Sequence, residues 1–175
     1  MDVTFNEDGT VSIDMEQYVM ETIQEFPDKM RKQASSPAKA NLHEIDPRSK
    51  LLNKERRELF HSLTMKLMFI CQRCRLDITT AVSFLCTRVS KPTEQDWSKL
   101  KRALEFLCGT IEDGLTLGAD SLEELLSFVD VSFAVHHDMK SHTGGGASFG
   151  RGIMMSLSKK QRINTSSTTE SEVHV

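Results

Sequence analysis

Residues 125–146 limit the possible folds more than any other stretch. They read Leu-Leu-Ser-Phe-Val-Asp-Val-Ser-Phe-Ala-Val, then His-His-Asp-Met-Lys-Ser, then His-Thr-Gly-Gly-Gly. The first part is rich in the β-branched and aromatic residues that fit a pleated strand. At the two-residue period of a strand, Val129, Val131, Phe133 and Val135 share one face. Leu126, Phe128, Asp130, Ser132 and Ala134 share the other. A single carboxylate, Asp130, therefore sits mid-strand among apolar neighbours. An unpaired buried carboxylate is costly, so Asp130 needs a cation, a hydrogen-bond donor or solvent. A strand Asp on a water-facing rim is the plain alternative.

The segment Phe128-Val129-Asp130-Val131-Ser132-Phe133-Ala134, followed by Asp138-Met139-Lys140-Ser141-His142-Thr143-Gly144-Gly145, resembles the start of the RNase H domain of copia-type retrotransposon Pol polyproteins. In that family a strand Asp precedes a small residue, an aromatic and Ala, then a Lys/Arg-Ser-x-(Ser/Thr)-Gly turn. Ser158-Lys159-Lys160-Gln161 is similar to the family's Ser-Lys-Lys-Gln hairpin. Ser166-Ser167-Thr168-Thr169-Glu170-Ser171-Glu172 is similar to its Ser-Thr-x-Glu-Ala-Glu helix start. Upstream, Pro92-Thr93, Trp97, Leu100-Lys101-Arg102, Phe106-Leu107 and Gly109-Thr110 resemble the segment before that domain. The pieces occur in one order.

The resemblance implies an RNase H-like region related to hydrolysis of RNA in RNA–DNA hybrids. It assigns Asp130 and Glu172 as catalytic, metal-binding carboxylates for Mg²⁺. Glu172 aligns with the second Glu of the family's Glu-x-Glu, and Glu170 reads as a capping residue. Hydrolysis of this type needs several carboxylates on two hard cations, and the family's further acidic ligands lie beyond Val175. The expectation is a truncated, catalytically incomplete region. Two alternatives stand beside it. One is a ribonuclease completed by other Pol segments; the other is a non-enzymatic helical interaction module derived from a retroelement. The reverse-transcriptase palm, with its Tyr-x-Asp-Asp turn, has no counterpart: the chain has no Asp-Asp pair, and its one tyrosine is Tyr18.

Composition agrees with a thin core. Hydrophobic residues make up 38% of the 175 residues and aromatics 6%, with nine methionines, and Met specifies packing poorly. The net charge of −3 argues against a free-standing nucleic-acid binder, but the charge is uneven. Residues 28–75 hold twelve Lys/Arg against five acids, and residues 139–167 hold five bases and no acids. Local basic surface is therefore available. No signal peptide and no long apolar run is evident, so the expected setting is intracellular, reducing and off the membrane. Cys71, Cys74, Cys86 and Cys108 then read as free thiols. Cys71-x-x-Cys74 lacks a second ligand pair, and both fall on an apolar helix face.

The expected fold class is α+β: an N-terminal hairpin and helices, a connection region, followed by a truncated RNase H-like mixed sheet. Residues 1–27 read as a hairpin turned at Asp8-Gly9 and a helix capped by Asp14 with Gln17. Met15, Tyr18, Val19, Ile23 and Phe26 form its apolar stripe. Residues 28–52 read as a polar, solvated linker. Residues 53–114 read as three helices: Lys54–Arg73, a second capped by Asp77, and a third capped by Thr93 with Asp96 opposite. Arg75-Leu76-Asp77-Ile78 stands where the family has Arg-Pro-Asp-Ile, which weakens the helix break. Residues 115–175 read as the RNase H-like part: a turn at Gly118-Ala119-Asp120, the central strand, a hairpin turned at Gly150-Arg151-Gly152, and Gln161–Thr165 extending the sheet. A helix follows, capped by Ser167 and Glu170. His136, His137 and His142 read as solvated loop histidines.

Overall fold

Alternating residues at the N-terminus form a hairpin of β1 (Asp2–Phe5) and β2 (Val11–Asp14). Its turn is closed by the Gly9 N–H donating to the Asn6 carbonyl at 3.1 Å. Gly9 takes a φ of +82°, which only glycine adopts freely. The computed structural model describes residues 1–30 and 34–173, and the chain divides into two compact units. One comprises residues 1–3 and 13–114; the other comprises residues 4–12 and 115–175.

The first unit is helical: α1 (Glu16–Gln24), α2 (Lys54–Cys71), α3 (Thr79–Arg88) and α4 (Glu94–Gly109). The apolar stripes meet as amphipathic helices require. Phe60, Leu63, Leu67 and Ile70 of α2 are fully buried, as are Leu85 of α3 and Leu100, Leu104 and Leu107 of α4. Phe26 stacks on Trp97 at 4.9 Å, which ties the chain after α1 to α4. The Trp97 indole N–H donates to Asp28 at 2.6 Å.

Capping was only partly as expected. Thr93 accepts from the Asp96 N–H, and the Asp96 carboxylate accepts from the Thr93 N–H at 2.8 Å. Asp14 does not cap α1: it ends β2, and the helix starts after Met15, whose side chain is buried. Gln17 bonds Glu21 one turn on. Asp77 does not cap α3 either. It lies in a short 3₁₀ turn, Leu76–Ile78, and receives two bonds from the Arg75 guanidinium. Arg75 is buried and also donates to Thr110, so the break survives without proline. α2 ends at Cys71, two residues earlier than expected, because the Cys74 and Arg75 N–H groups turn back onto the Ile70 carbonyl.

The segment expected as a linker, residues 28–52, includes 31–33, which lie outside the described residues. The rest has no helix and only a single-residue bridge, Leu51 with Thr93, yet it packs on α4. Leu42 and Leu52 are buried, and the Ala34 N–H donates to the Glu105 carbonyl at 3.2 Å. A polar composition here satisfies backbone groups rather than leaving them to water.

The second unit holds β3 (Leu115–Ala119), β4 (Leu126–Ser132), β5 (His142–Ser148), β6 (Gly150–Arg151), β7 (Met155–Lys160) and α5 (Thr168–Val173). One sheet runs β1-β2-β3-β6, the other β4-β5-β7. The ladders of β3 with β6, β4 with β5 and β5 with β7 are antiparallel. Gly118 and Ala119, expected in a turn, pair with Arg151 and Gly150 instead. The chain does turn between Ser148 and Met155, with Gly150 and Gly152 at positive φ. Residues Gln161–Thr165 do not extend the sheet. β7 ends at Lys160, and Gln161 turns inward to bond Thr143 and Ser171.

Candidate functional site

The pairing register fixes the surroundings of Asp130. On β4 it stands directly opposite Gly144 of β5, and Gly144 stands opposite Ser158 of β7. Directly opposed residues share a face, so Asp130, Gly144 and Ser158 form one row. The next row on that face is Ser132, His142 and Lys160. Asp130 is exposed, and its Oδ1 accepts its neighbour Val131's N–H at 2.8 Å. Solvent and a backbone donor thus meet the requirement that its strand position set. A Cβ added at Gly144 would meet nothing within 4 Å, whereas one at Gly145 would press on the Phe128 carbonyl and one at Gly146 on Ile153. The space beside Asp130 is open.

Glu172 lies on α5, and α5 packs beside β4. The helix is held by Ser171, which is fully buried. Its hydroxyl bonds Ser141 at 3.0 Å and also Thr165, and its carbonyl accepts from Gln161 at 2.9 Å. Glu172, one residue on, is exposed. Ser167 caps α5 by accepting the Glu170 N–H at 3.1 Å, and the Glu170 carboxylate accepts from Ser166. Asp130 and Glu172 are therefore carried by neighbouring elements of one unit, both facing solvent. Among the described residues no Lys or Arg forms an ion pair with either. Exposed carboxylate oxygens without a competing cation are the donors a hard cation such as Mg²⁺ prefers.

The histidines depart from expectation. His136 and His142 are buried, not solvated, and His142 lies in β5. Their rings meet at Nε2···Nδ1 3.0 Å, and His142 Nε2 lies 2.7 Å from the Ser158 hydroxyl. This buried chain adjoins the Asp130 row. His137 is exposed. Across the turn, the Lys160 ammonium donates to Asp138 at 2.7 Å, and that bond holds the Asp138 carboxyl below its ordinary value. Strand periodicity counted back from Gly144 would have placed His142 on the Asp130 face. Its loop-like neighbours hid that.

Cys71 and Cys74 are buried free thiols, and burial pushes the Cys71 thiol up to about 11. Cys86 and Cys108 are free and half-buried. Among the described residues, no helix is long and apolar enough to cross a membrane.

β4, β5 and β7 thus form a three-stranded antiparallel sheet, and α5 follows it with Glu172 exposed. Comparison with known proteins finds similarity to Pol polyproteins of transposons. The chain is 27% identical over 165 residues to a retrovirus-related Pol polyprotein from transposon TNT 1-94 of Nicotiana tabacum, covering 91% of this chain and 12% of that protein. It is 32% identical over 99 residues to the Pol polyprotein from transposon RE2 of Arabidopsis thaliana, covering 56% of this chain and 7% of that protein. It is 34% identical over 99 residues to an uncharacterized mitochondrial protein of Arabidopsis thaliana, covering 56% of this chain and 41% of that protein. The chain thus spans less than half the length of each of these relatives. No protein-family profile and no solved structure matches it. The chain thus resembles a fragment of a copia-type retrotransposon Pol polyprotein.

Proposed function

We propose that residues 115–175 are an RNase H-like module that engages RNA–DNA hybrids through a divalent cation held by Asp130 and Glu172. The observation that carries this reading is the exposed Asp130 beside Gly144, on the strand against which α5 packs. An open gap next to a carboxylate admits a phosphodiester, and a strand glycine is a common mark of close backbone approach. When bound, Mg²⁺ would supply activation of water and neutralisation of the leaving oxygen. Asp130 would present one acidic ligand from the sheet and Glu172 a second from α5. The buried His136–His142–Ser158 chain would hold the β5 and β7 sides of the row in place. Two carboxylates hold a single hard cation more readily than a pair next to a polyanion. The 1–175 chain is therefore proposed to bind hybrid in a metal-dependent way while turning it over poorly without further Pol segments.

The test is binding and cleavage of a labelled RNA–DNA hybrid by 1–175 with and without Mg²⁺, beside Asp130→Asn and Glu172→Gln. The expected result is Mg²⁺-stimulated binding lost in both variants, with little cleavage. Hybrid binding indifferent to Mg²⁺ and to both substitutions would remove the reading. Robust cleavage abolished by Asp130→Asn would keep the site and overturn the proposed incompleteness.

A further inference from the structure

A cavity of about 280 Å³ lies in the helical unit, between α4 and the chain at residues 37–42. Lys39, Asn41, Ser98, Lys99, Arg102 and Glu105 supply its polar lining, and the buried Leu42 belongs to its apolar lining. The α4 residues fall on one face of the helix by their spacing. The lining includes three cationic residues and one carboxylate, and among the described residues none of the four forms an ion pair.

Two of the cations are fixed in advance. The Lys99 ammonium donates to the Glu44 carbonyl at 2.6 Å and sits 4.3 Å over the Phe84 ring. Burial holds its amine below the ordinary lysine value. The Arg102 guanidinium donates to the Ser36 hydroxyl at 3.0 Å. Side chains ordered before binding lose less entropy when a ligand arrives. Unneutralised positive charge in a concave site concentrates anions. The lining also offers neutral donors, the Ser98 hydroxyl and the Asn41 amide. That mixture suits a ligand with several acceptor oxygens on one centre. Glu105 favours hydroxyl or amino groups on the remainder of the ligand. The volume is near the lower end of small-molecule sites, about 300 Å³, which admits one nucleotide-sized body and excludes a duplex.

We infer that this cavity binds a phosphate monoester, with the phosphate against Lys39, Lys99 and Arg102 and a polar nucleoside-sized group toward Glu105. Such a group has two sources: a free mononucleotide, or the 5′-phosphorylated end of a single nucleic-acid strand. The site is independent of Asp130 and stands whether or not the RNase H-like module acts.

Calorimetric titration of the full 1–175 chain tests it with four probes: AMP, adenosine, and one short oligonucleotide with and without its 5′-phosphate. The expected result is that AMP binds and adenosine does not, and that Lys39→Gln and Arg102→Gln each weaken binding about tenfold, as loss of a charge-assisted bond predicts. Binding should also raise the Lys99 amine toward its ordinary value, read by NMR. Tighter binding of the phosphorylated oligonucleotide than of AMP assigns the strand end; the reverse assigns the free nucleotide. The proposal is overturned if neither phosphorylated probe outbinds its unphosphorylated counterpart, or if the preference survives both substitutions. Should Arg102→Gln fail to fold, Lys39→Gln decides alone, because Lys39 is exposed.

Discussion

The Arg75 guanidinium donates to the Thr110 carbonyl oxygen at 2.6 Å and to the Thr110 hydroxyl at 2.7 Å, joining the end of α4 to the turn before α3. The same group forks onto Asp77. Arg75→Gln removes most of these bonds and leaves the Thr110 carbonyl short of a partner. The expected loss is about 3 kcal/mol, measured by urea unfolding. Arg75→Lys should restore little, because an ammonium lacks the planar fork.

Asp96 is fully buried and serves three donors: the Thr93 N–H, the Thr93 hydroxyl and Arg88. Asp96→Ala should cost about 3 kcal/mol, and Thr93→Ala about 1 kcal/mol. The unfolding midpoints of the two variants check the order. Equal midpoints would show that the cap contributes less than stated.

The raised Cys71 thiol makes stability depend on alkaline pH. The folded state holds its proton up to about 11, while the ordinary thiol value is 9.0. A group raised on folding contributes stability that is complete below its unfolded value and lost as pH climbs through the folded one. Two units correspond to at most about 2–3 kcal/mol. Unfolding free energy should fall between pH 9 and 11 in the native chain, and fall less in Cys71→Ala. Cys71 and Cys74 should also resist alkylation until the protein unfolds.

The Lys160 contact lowers the Asp138 carboxyl, so its sign is opposite. Stability from this pair is present above the ordinary carboxyl value and lost as pH falls through the lowered one. Lys160→Met should return the Asp138 carboxyl toward its ordinary range in a carbon-detected NMR titration. An unmoved titration would assign the shift elsewhere.

Glycines close together in sequence should respond in opposite ways. Gly144 has open space and no positive φ, so Gly144→Ala should be neutral or stabilising by up to about 1 kcal/mol. Gly152 has a φ of +76°, and a Cβ there would run into the Thr116 carbonyl. Gly152→Ala should cost about 1–3 kcal/mol. Thermal melts of both variants test the contrast. Loss of hybrid binding in a stable Gly144→Ala protein would tie the open row to substrate.

What the sequence disclosed followed the range of the interactions. The Thr93–Asp96 cap was legible because both partners lie within one turn. The Asp14 and Asp77 caps were misread for opposite reasons. Asp14 was claimed by the pairing of β2, and Asp77 by an arginine whose own place is set by Thr110, far along the chain. The helical stripes were legible because 3.6-residue periodicity is local. His142 was not, since its burial depends on His136 and on Ser158 of β7, partners supplied by the turn and the strand pairing. Asp130 stood out as a lone acid in an apolar run, but its exposure follows from β4 being an outer strand, which no local pattern records. The cavity on α4 was invisible because half of its wall comes from a stretch without periodicity.

The order β1-β2-β3-β6 has a kinetic consequence. Its first strand is made at residues 2–5, and its last at residues 150–151. Between them the ribosome must deliver an entire helical unit. The hairpin must therefore wait, unpaired along β2, until β3 at residues 115–119 has emerged. Sequence separation of this kind slows closure. The four helices should mature early in synthesis, and the sheet last.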